Sequence, residues 1–253
     1  MVNVAVSLSD RTRLVHLPEI DSTNAEALRR AAAGERGPLW IVADRQTKGR
    51  GRSGRRWVSA PGNLHASLLI ELACPPGQAQ RLSLLAGVAA VEAIREASGR
   101  TDQPAGLCLK WPNDVMIGGV KAGGILIECT TAGGRFVGAV GIGINVATQP
   151  LGVDSVATHL GAHALALYPH DVFIPLAAAM ERWLTIWNDG TGFEQVRSAW
   201  LAEAAAPGTR LGVSTGNGTV TGTFAGLDSD GALLLDGADG IRRRFMFGDV
   251  TSD

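Results

Sequence analysis

The 253-residue chain is poor in cysteine, in aromatic residues and in long apolar runs. Its three cysteines, Cys74, Cys108 and Cys129, form no C-x-x-C pair. We therefore expect three reduced thiols and neither a disulfide framework nor a cysteine zinc site. No stretch approaches about 18 uncharged apolar residues, and no basic region precedes an apolar run at the N-terminus. This pattern predicts a cytoplasmic protein without a signal peptide or a membrane span.

Net charge is also nearly absent, since the formal charge at pH 7 is only −1. This balance argues against a surface that is basic all over, as it is in many nucleic-acid-binding proteins. It does not exclude a local basic site, and one segment of the chain is strongly basic. Residues 45–57 read R-Q-T-K-G-R-G-R-S-G-R-R-W and hold six basic side chains among three glycines.

This basic loop (residues 45–57) predicts an anion-binding site. Glycine lets backbone N–H groups approach an anion closely, and arginine offers a planar fork that matches carboxylate and phosphate. Like charges packed this closely repel one another, and a bound anion would offset the repulsion. The loop is not a Walker loop, because no G-K-S/T sequence closes it. A solvated basic loop is the alternative, and the anion could be a nucleotide, a nucleic acid or a carboxylate.

The second candidate site is the K-W-P-N-D segment at 110–114. A predicted strand delivers Lys110 and must end near Pro112, which leaves Asn113 and Asp114 at the strand exit, where functional groups often project. A plain turn is the alternative. Lys121 lies between two glycine pairs in G-G-V-K-A-G-G. This position makes it a stronger candidate for a functional residue than a lysine on a helix surface.

Three further motifs have simpler explanations. S-T-N at 22–24 is explained by helix capping, because Thr23 and the glutamate three residues later have the capping-box spacing. G-I-G-I-N-V at 141–146 lacks the third glycine and the following helix of a dinucleotide fingerprint. H-L-G-A-H at 159–163 has the spacing of a zinc protease motif without its glutamate, so a metal site there is disfavoured.

The periodicity of the chain predicts an α+β fold with a mixed β-sheet, because strands follow one another with few helices between them. Strand-like runs lie at 14–17, 40–43, 64–70, 107–111, 115–117, 124–128 and 135–146, and helical patterns at 25–33, 79–96, 172–188 and 192–205. Beyond Pro207 the chain consists of short strand-like runs between N-G, S-D-G and A-D-G turns, which is typical of a small β-barrel. We expect two domains, 1–206 and 207–253.

Taken together, these segments resemble the biotin protein ligases. The resemblance runs through S-T-N at 22–24, Q-T-K-G-R-G-R-S-G-R-R-W at 46–57, K-W-P-N-D at 110–114, K-A-G-G-I-L-I-E at 121–128 and G-I-G-I-N-V at 141–146. It implies a class II synthetase-like catalytic domain with flanking helices and a C-terminal SH3-like barrel. Only about a dozen residues precede the first predicted strand. We therefore expect the monofunctional type, without the DNA-binding helix-turn-helix that some members carry, and no nucleic-acid partner.

The resemblance implies a two-step reaction with biotin and ATP as substrates and Mg²⁺ as a cofactor. The biotin carboxylate attacks the α-phosphate of ATP, which gives biotinyl-5′-AMP and pyrophosphate. A lysine amine on the biotin carboxyl carrier domain of a carboxylase then attacks the acyl carbon. At ~4 Å and an effective dielectric constant of about 20, each pair of like unit charges repels by roughly 4 kcal/mol. A basic loop would offset that repulsion, and the enzyme is expected to be a monomer or a homodimer.

The resemblance also assigns roles to individual positions. The positions matched to catalysis are Lys121, Arg52 and Asp114, and Asp114 is also matched to Mg²⁺. The positions matched to biotin are Ser22, Thr23, Asn24, Gln46, Gly49, Arg50, Arg52, Lys121 and Gly124. The positions matched to ATP and the adenylate are Arg52, Arg55, Trp57, Lys110, Asn113, Lys121 and Asn145. All of them precede Val146, so we expect the second domain to serve docking of the acceptor more than formation of the adenylate.

Three other classes are weighed against this hypothesis. Lipoate ligases and octanoyl transferases share a related fold but would be expected to lack the G-R-G-R-x-G-R loop. A nucleic-acid-binding module would need basic residues spread over a face, and its binding would fall steeply with salt. A structural anion-binding domain would have no need of Lys110, Asp114 and Lys121 as well.

Overall fold

A seven-stranded mixed sheet is the main feature of the computed structural model, which describes residues 12–99, 106–150, 156–216 and 218–252. Its strands are β1 (Arg13–Ile20), β2 (Leu39–Gln46), β3 (Leu64–Glu71), β4 (Cys108–Lys110), β5 (Asp114–Ile117), β6 (Val120–Ala132) and β7 (Arg135–Ile144). They lie in the order β1-β2-β3-β7-β6-β5-β4. The β1–β2 pair is parallel and the other pairs are antiparallel. The predicted mixed sheet is thereby confirmed.

Helices cover both faces of this sheet. The described ranges contain α1 (Thr23–Ala32), α2 (Leu82–Ser98), α3 (Pro169–Trp187) and α4 (Phe193–Ala202). Helix α1 packs on one face through Ala27 and Ala31, which lie against Leu69 of β3. Helices α2 and α3 share the core on the other face, where the predicted apolar stripe of α2 is fully buried. No helix of the described part is long and apolar enough to cross a membrane.

The start of α1 differs from the prediction. Ser22, not Thr23, is the N-cap, and its hydroxyl accepts a hydrogen bond from the Ala25 N–H at 3.4 Å. Thr23 is the first helical residue, and both its N–H and its hydroxyl donate to Gln46 Oε1. The capping-box spacing therefore selected the wrong residue, because a partner on β2 binds Thr23. The helix stops as predicted, with Gly34 at a φ of +95° just beyond it.

A second, smaller sheet follows the helices, as expected of a C-terminal SH3-like barrel. Its strands are β8 (Arg210–Thr215), β9 (Gly218–Leu227), β10 (Leu233–Asp236), β11 (Arg242–Phe245) and β12 (Asp249–Ser252). They form an antiparallel sheet in the order β11-β10-β9-β8-β12. The domain boundary near residue 207 stays a prediction.

The turn between β9 and β10 joins the two sheets. The Trp111 indole N–H donates to the Gly231 carbonyl at 3.1 Å, and Arg81 pairs with Asp230 at 2.7 Å. Trp111 is only 4% exposed. The second sheet therefore contacts the K-W-P-N-D segment through Trp111, and the polar residues of the segment line the cavity described below.

Candidate active site

A cavity of about 870 Å³ opens beside α1 on the seven-stranded sheet. Every position that the sequence predicts for ligand binding lines it, with the exception of Gly49. Gly49 supports the wall, because a Cβ there would lie 2.5 Å from the Trp57 carbonyl oxygen. The tertiary structure thus brings the separate sequence motifs to one site.

Glycines form the floor of this cavity. The strand register aligns His65, Gly143, Gly124 and Asp114 in one row across β3, β7, β6 and β5. A Cβ at residue 143 would lie 2.5 Å from the Trp57 ring, so the indole can rest on the sheet only because that position is glycine. The row therefore carries side chains of its own only at its two ends, and the Trp57 ring lies over the glycines in its middle.

A buried polar cluster closes one end of the cavity. Thr23 donates twice to Gln46 Oε1, at 2.8 and 3.1 Å, and the Gln46 amide donates to Ser59 Oγ at 3.0 Å. The Ser67 hydroxyl lies 2.7 Å from Thr23 Oγ1 and 2.6 Å from Asn24 Oδ1. These mutual hydrogen bonds fix the side chains before any ligand arrives. The cluster carries no charge and suits a neutral group with both donors and acceptors.

Two lysines and one carboxylate form the opposite end. Lys121 donates to Asp114 Oδ1 at 2.5 Å, and the Lys110 ammonium lies 3.6 Å from Asp114 Oδ2. The Lys121 ammonium also lies 5.8 Å from the centroid of the Trp57 ring. Two positive charges thus share one negative charge, which leaves an excess of positive charge for an anionic ligand.

The basic loop is anchored to protein groups on two sides. On the sheet side, Arg50 pairs with Glu128 of β6 at 2.9 Å, and Glu128 also accepts from the Asn24 amide. The expectation that only a bound anion would offset the loop's charge is therefore wrong, because a protein carboxylate already does so in part. Arg50 lies at the cavity as predicted but is shared with this carboxylate.

The second anchor comes from the C-terminal sheet. Arg52 donates to Asn113 Oδ1 at 3.0 Å and to the Gly248 carbonyl at 3.2 Å, while Arg55 pairs with Asp249. Burial lowers the pKa of Arg52, and the charges of Asp249 and Asp114 act against that shift. The cavity also contacts Asp249–Thr251. The expectation that site residues all precede Val146 is thus incomplete, since β12 contributes a wall.

Sequence reasoning missed His65 altogether. This side chain lines the cavity, is 1% exposed, and has no hydrogen-bond partner at either ring nitrogen. Burial lowers its pKa to about 4, against two smaller effects: the Asp44 charge and a contact with the Ala60 backbone that falls short of hydrogen-bond geometry. The alternation of β3 was the available signal, because it places His65 on the same face as Ser67.

Asn145 and Trp57 complete the wall. The Asn145 amide donates to the Thr158 carbonyl at 2.9 Å, which leaves its Oδ1 buried without a partner. The Trp57 indole N–H is likewise buried and unpaired. Both residues line the cavity.

The sequence is similar to two ligase family models. The model described as "Biotin/lipoate A/B protein ligase family" matches residues 17–145, and the model described as "Biotin protein ligase C terminal domain" matches residues 212–251. Between them the two models take in both sheets. Apart from Asp249–Thr251, every cavity-lining residue discussed above lies in the first match.

Individual proteins are similar over most of the chain. A biotin–[acetyl-CoA-carboxylase] ligase of Paracoccus denitrificans is 40% identical over 232 residues, which cover 88% of this chain and 94% of that protein. A bifunctional ligase/repressor of Bacillus subtilis is 36% identical over 212 residues, covering 80% of this chain and 63% of that protein. The solved structure of an Aquifex aeolicus biotin protein ligase in complex with biotin and ATP has a TM-score of 0.78 at 27% identity, covering 95% and 99% of the two chains.

The buried His65 predicts a pH dependence of stability. The unfolded chain binds a proton at this imidazole below the usual pKa of 6.5, whereas the folded chain binds it only below about 4. The free energy of unfolding should therefore fall by up to about 3 kcal/mol as the pH drops from 6.5 to 4. Urea unfolding of the wild type and of His65→Phe across this window measures the effect. A wild-type slope in His65→Phe would refute the prediction.

The glycine floor predicts a stability loss at residue 143. Gly143→Ala forces the Trp57 ring off the sheet, and overpacking of this kind lowers the free energy of unfolding by about 1–3 kcal/mol. Gly77→Ala is the matched control, because its added methyl meets no atom within 4 Å. Urea titration monitored by circular dichroism compares the two variants. Equal stabilities would show that the indole does not rest on the floor.

Proposed function

Because the chain belongs to the biotin/lipoate A/B protein ligase family, we propose that it is an ATP-dependent biotin–[acetyl-CoA-carboxylase] ligase. It activates biotin as biotinyl-5′-AMP and transfers the biotinyl group to a lysine of a biotin carboxyl carrier domain. One observation carries the proposal: a neutral polar cluster and a cationic cluster lie at the two ends of one cavity, whose floor consists of glycines beneath the Trp57 ring. Biotin has the same polarity, with a neutral ureido ring at one end and a carboxylate at the other.

Binding of biotin uses the polar cluster first. We assign the ureido group to Thr23, Gln46 and their neighbours, whose positions are fixed by mutual hydrogen bonds. The carboxylate then extends over Gly124 toward Lys121, whose ammonium would lie only 3.3 Å from a Cβ at residue 124. A fixed site of this kind limits the ordering that binding requires.

The first step needs positive charge between two anions. Each close pair of like charges repels by roughly 4 kcal/mol at an effective dielectric constant of about 20. We assign Lys121 to the position between the biotin carboxylate and the α-phosphate, and Lys110 to the other phosphates. Both lysines now contact Asp114, so the incoming anions replace part of an existing ion pair. Preformed cations of this kind stabilise charge that develops in the transition state.

Mg²⁺ would reach this site with ATP. Among the described residues no group of three or more His, Cys, Asp or Glu side chains could hold a metal ion by itself. Asp114 faces the cationic end, and one carboxylate together with substrate phosphates is a usual environment for Mg²⁺. When bound there, the ion would neutralise phosphate charge.

The basic loop retains the product of the first step. A mixed anhydride hydrolyses in water, and exclusion of water protects such an intermediate. Arg52 bridges K-W-P-N-D and the C-terminal sheet, and so closes the loop over the cavity. We assign Arg52 the role of retaining the adenylate, and Arg55 with Asp249 the role of keeping the loop in place.

The second step requires a neutral acceptor lysine. With a pKa of about 10.4, a lysine is neutral only about once in 2,500 at pH 7, a penalty of nearly 5 kcal/mol. We assign Asp114 to accept its proton, because this carboxylate lies at the cationic end where the acyl group would be. The acceptor itself is a folded carrier domain, which matches the substrate class in the name of the Paracoccus relative.

The first test measures the adenylate directly. Labelled biotin with ATP should give a bound biotinyl adenylate and release pyrophosphate, whereas lipoate should give neither. In Lys121→Ala we expect adenylate formation to fall by at least about 100-fold, because one preorganised charge of this kind contributes roughly 2.7–4 kcal/mol. Arg36→Ala, which removes an exposed arginine paired with Glu71, should retain the wild-type rate. Near-normal pyrophosphate release by folded Lys121→Ala would refute its role, and no adenylate in the wild type would refute the function.

The second test concerns the loop anchor on the C-terminal sheet. Asp249→Asn weakens the Arg55 contact, so the intermediate should escape and label bystander proteins roughly two- to fivefold more, as expected for an exposed ion pair. Arg52→Gly should have a larger effect. Asp239→Asn is the control, since it breaks another arginine pair of the same sheet away from the cavity. A streptavidin blot with an unrelated protein measures labelling, and equal labelling by all variants would contradict the anchor.

A further inference from the structure

Unpaired polar atoms identify a residue without an assigned role. Three cavity-lining residues carry buried side-chain atoms without a hydrogen-bond partner: Trp57, Asn145 and His65. Trp57 and Asn145 correspond to the adenylate side of the proposed reaction. His65 belongs to none of the motifs, yet both of its ring nitrogens are unpaired.

The protein itself gives no reason for an imidazole at this position. His65 is 1% exposed, and a buried polar group without a partner is unfavourable. Ser67, on the same face of β3, shows the usual arrangement, because its hydroxyl has partners in Thr23 and Asn24. An apolar ring would fill the same volume without loss. The one protein group near its ring nitrogens, the Ala60 backbone, does not reach hydrogen-bond geometry, so at least one ring nitrogen is left for the ligand.

The strand register locates that partner. His65 lies two residues from Ser67 along β3, which is about 7 Å, and one strand from Gly143, which is about 5 Å. Asp114 stands at the far end of the same row, three strands and about 14 Å away. His65 therefore flanks the end of the ligand that occupies the polar cluster, and it is remote from the reacting carboxylate.

We infer that His65 contacts the thioether sulfur of bound biotin and makes the site selective for the sulfur-containing ring. This inference rests on the proposed function. Biotin has three polar features, of which the ureido group is assigned to the polar cluster and the carboxylate to Lys121. The sulfur is the remaining one, and His65 is the remaining unpaired side chain at that end. An imidazole N–H can donate to the weak acceptor sulfur, which a phenyl ring at this position cannot do.

Desthiobiotin is the probe for this contact, because it keeps the ureido group and the carboxylate but has no sulfur. Dissociation constants for biotin and desthiobiotin, measured by calorimetry on one sample of each variant, form a double-mutant cycle. The ratio of the two dissociation constants is insensitive to a partly inactive sample, because both ligands are measured against the same fraction of folded protein. His65→Phe retains a ring, His65→Gln retains an N–H donor, and the exposed His16→Phe is the control.

The preference for biotin over desthiobiotin should fall about three- to tenfold in His65→Phe, as expected for one weak hydrogen bond or sulfur contact. His65→Gln should keep more of the preference, and His16→Phe should keep all of it. If His65→Phe loses the same fraction of its affinity for both ligands, or if the ratio of the two dissociation constants is unchanged, the inference is overturned while the proposed function stands. A wild-type protein that binds neither ligand overturns the proposed function instead.

Discussion

The site depends on the absence of side chains from the middle of a β-sheet. Gly124 and Gly143 face each other across β6 and β7, and any larger residue at 143 would collide with the Trp57 ring. Gly141 extends this floor by one row, where a Cβ would lie 2.5 Å from Asn24 Oδ1. The glycines therefore let Trp57 and Asn24 lie directly on the sheet, while both ends of the row carry functional side chains.

Charge compensation is the second constraint on the molecule. Lys121 and Lys110 share Asp114, and the arginines of the basic loop pair with carboxylates on both sides of the cavity. The more exposed pairs of the loop, Arg50–Glu128 and Arg55–Asp249, contribute only about 0–1 kcal/mol each. The repulsion between a carboxylate and a phosphate is several times larger. The ligands can consequently replace these pairs. The pairs favour the closed conformation of the loop but are weak enough to let it open.

The C-terminal sheet takes part in the site from two directions. Its β9–β10 turn accepts a hydrogen bond from Trp111, and Gly248, the residue before β12, supplies its carbonyl to Arg52. One segment, K-W-P-N-D, is thus held by the second sheet on one side and faces the ligands on the other. For this reason a change in the C-terminal sheet should affect retention of the adenylate as well as docking of the acceptor.

Local sequence determined which segments form strands and helices. It also placed Lys110, Asp114 and Lys121 together, because two successive hairpins join the strands that carry them. It could not determine the partners of the basic loop. Arg50 meets Glu128 from 78 residues away and Arg55 meets Asp249 from 194 residues away, and only strand order brings these pairs together. The period-2 pattern of β3 puts His65 and Ser67 on one face, but what covers that face depends on α1 and on residues 57–60. Tertiary packing alone therefore decided that Ser67 is satisfied within the protein and that His65 is left to the ligand.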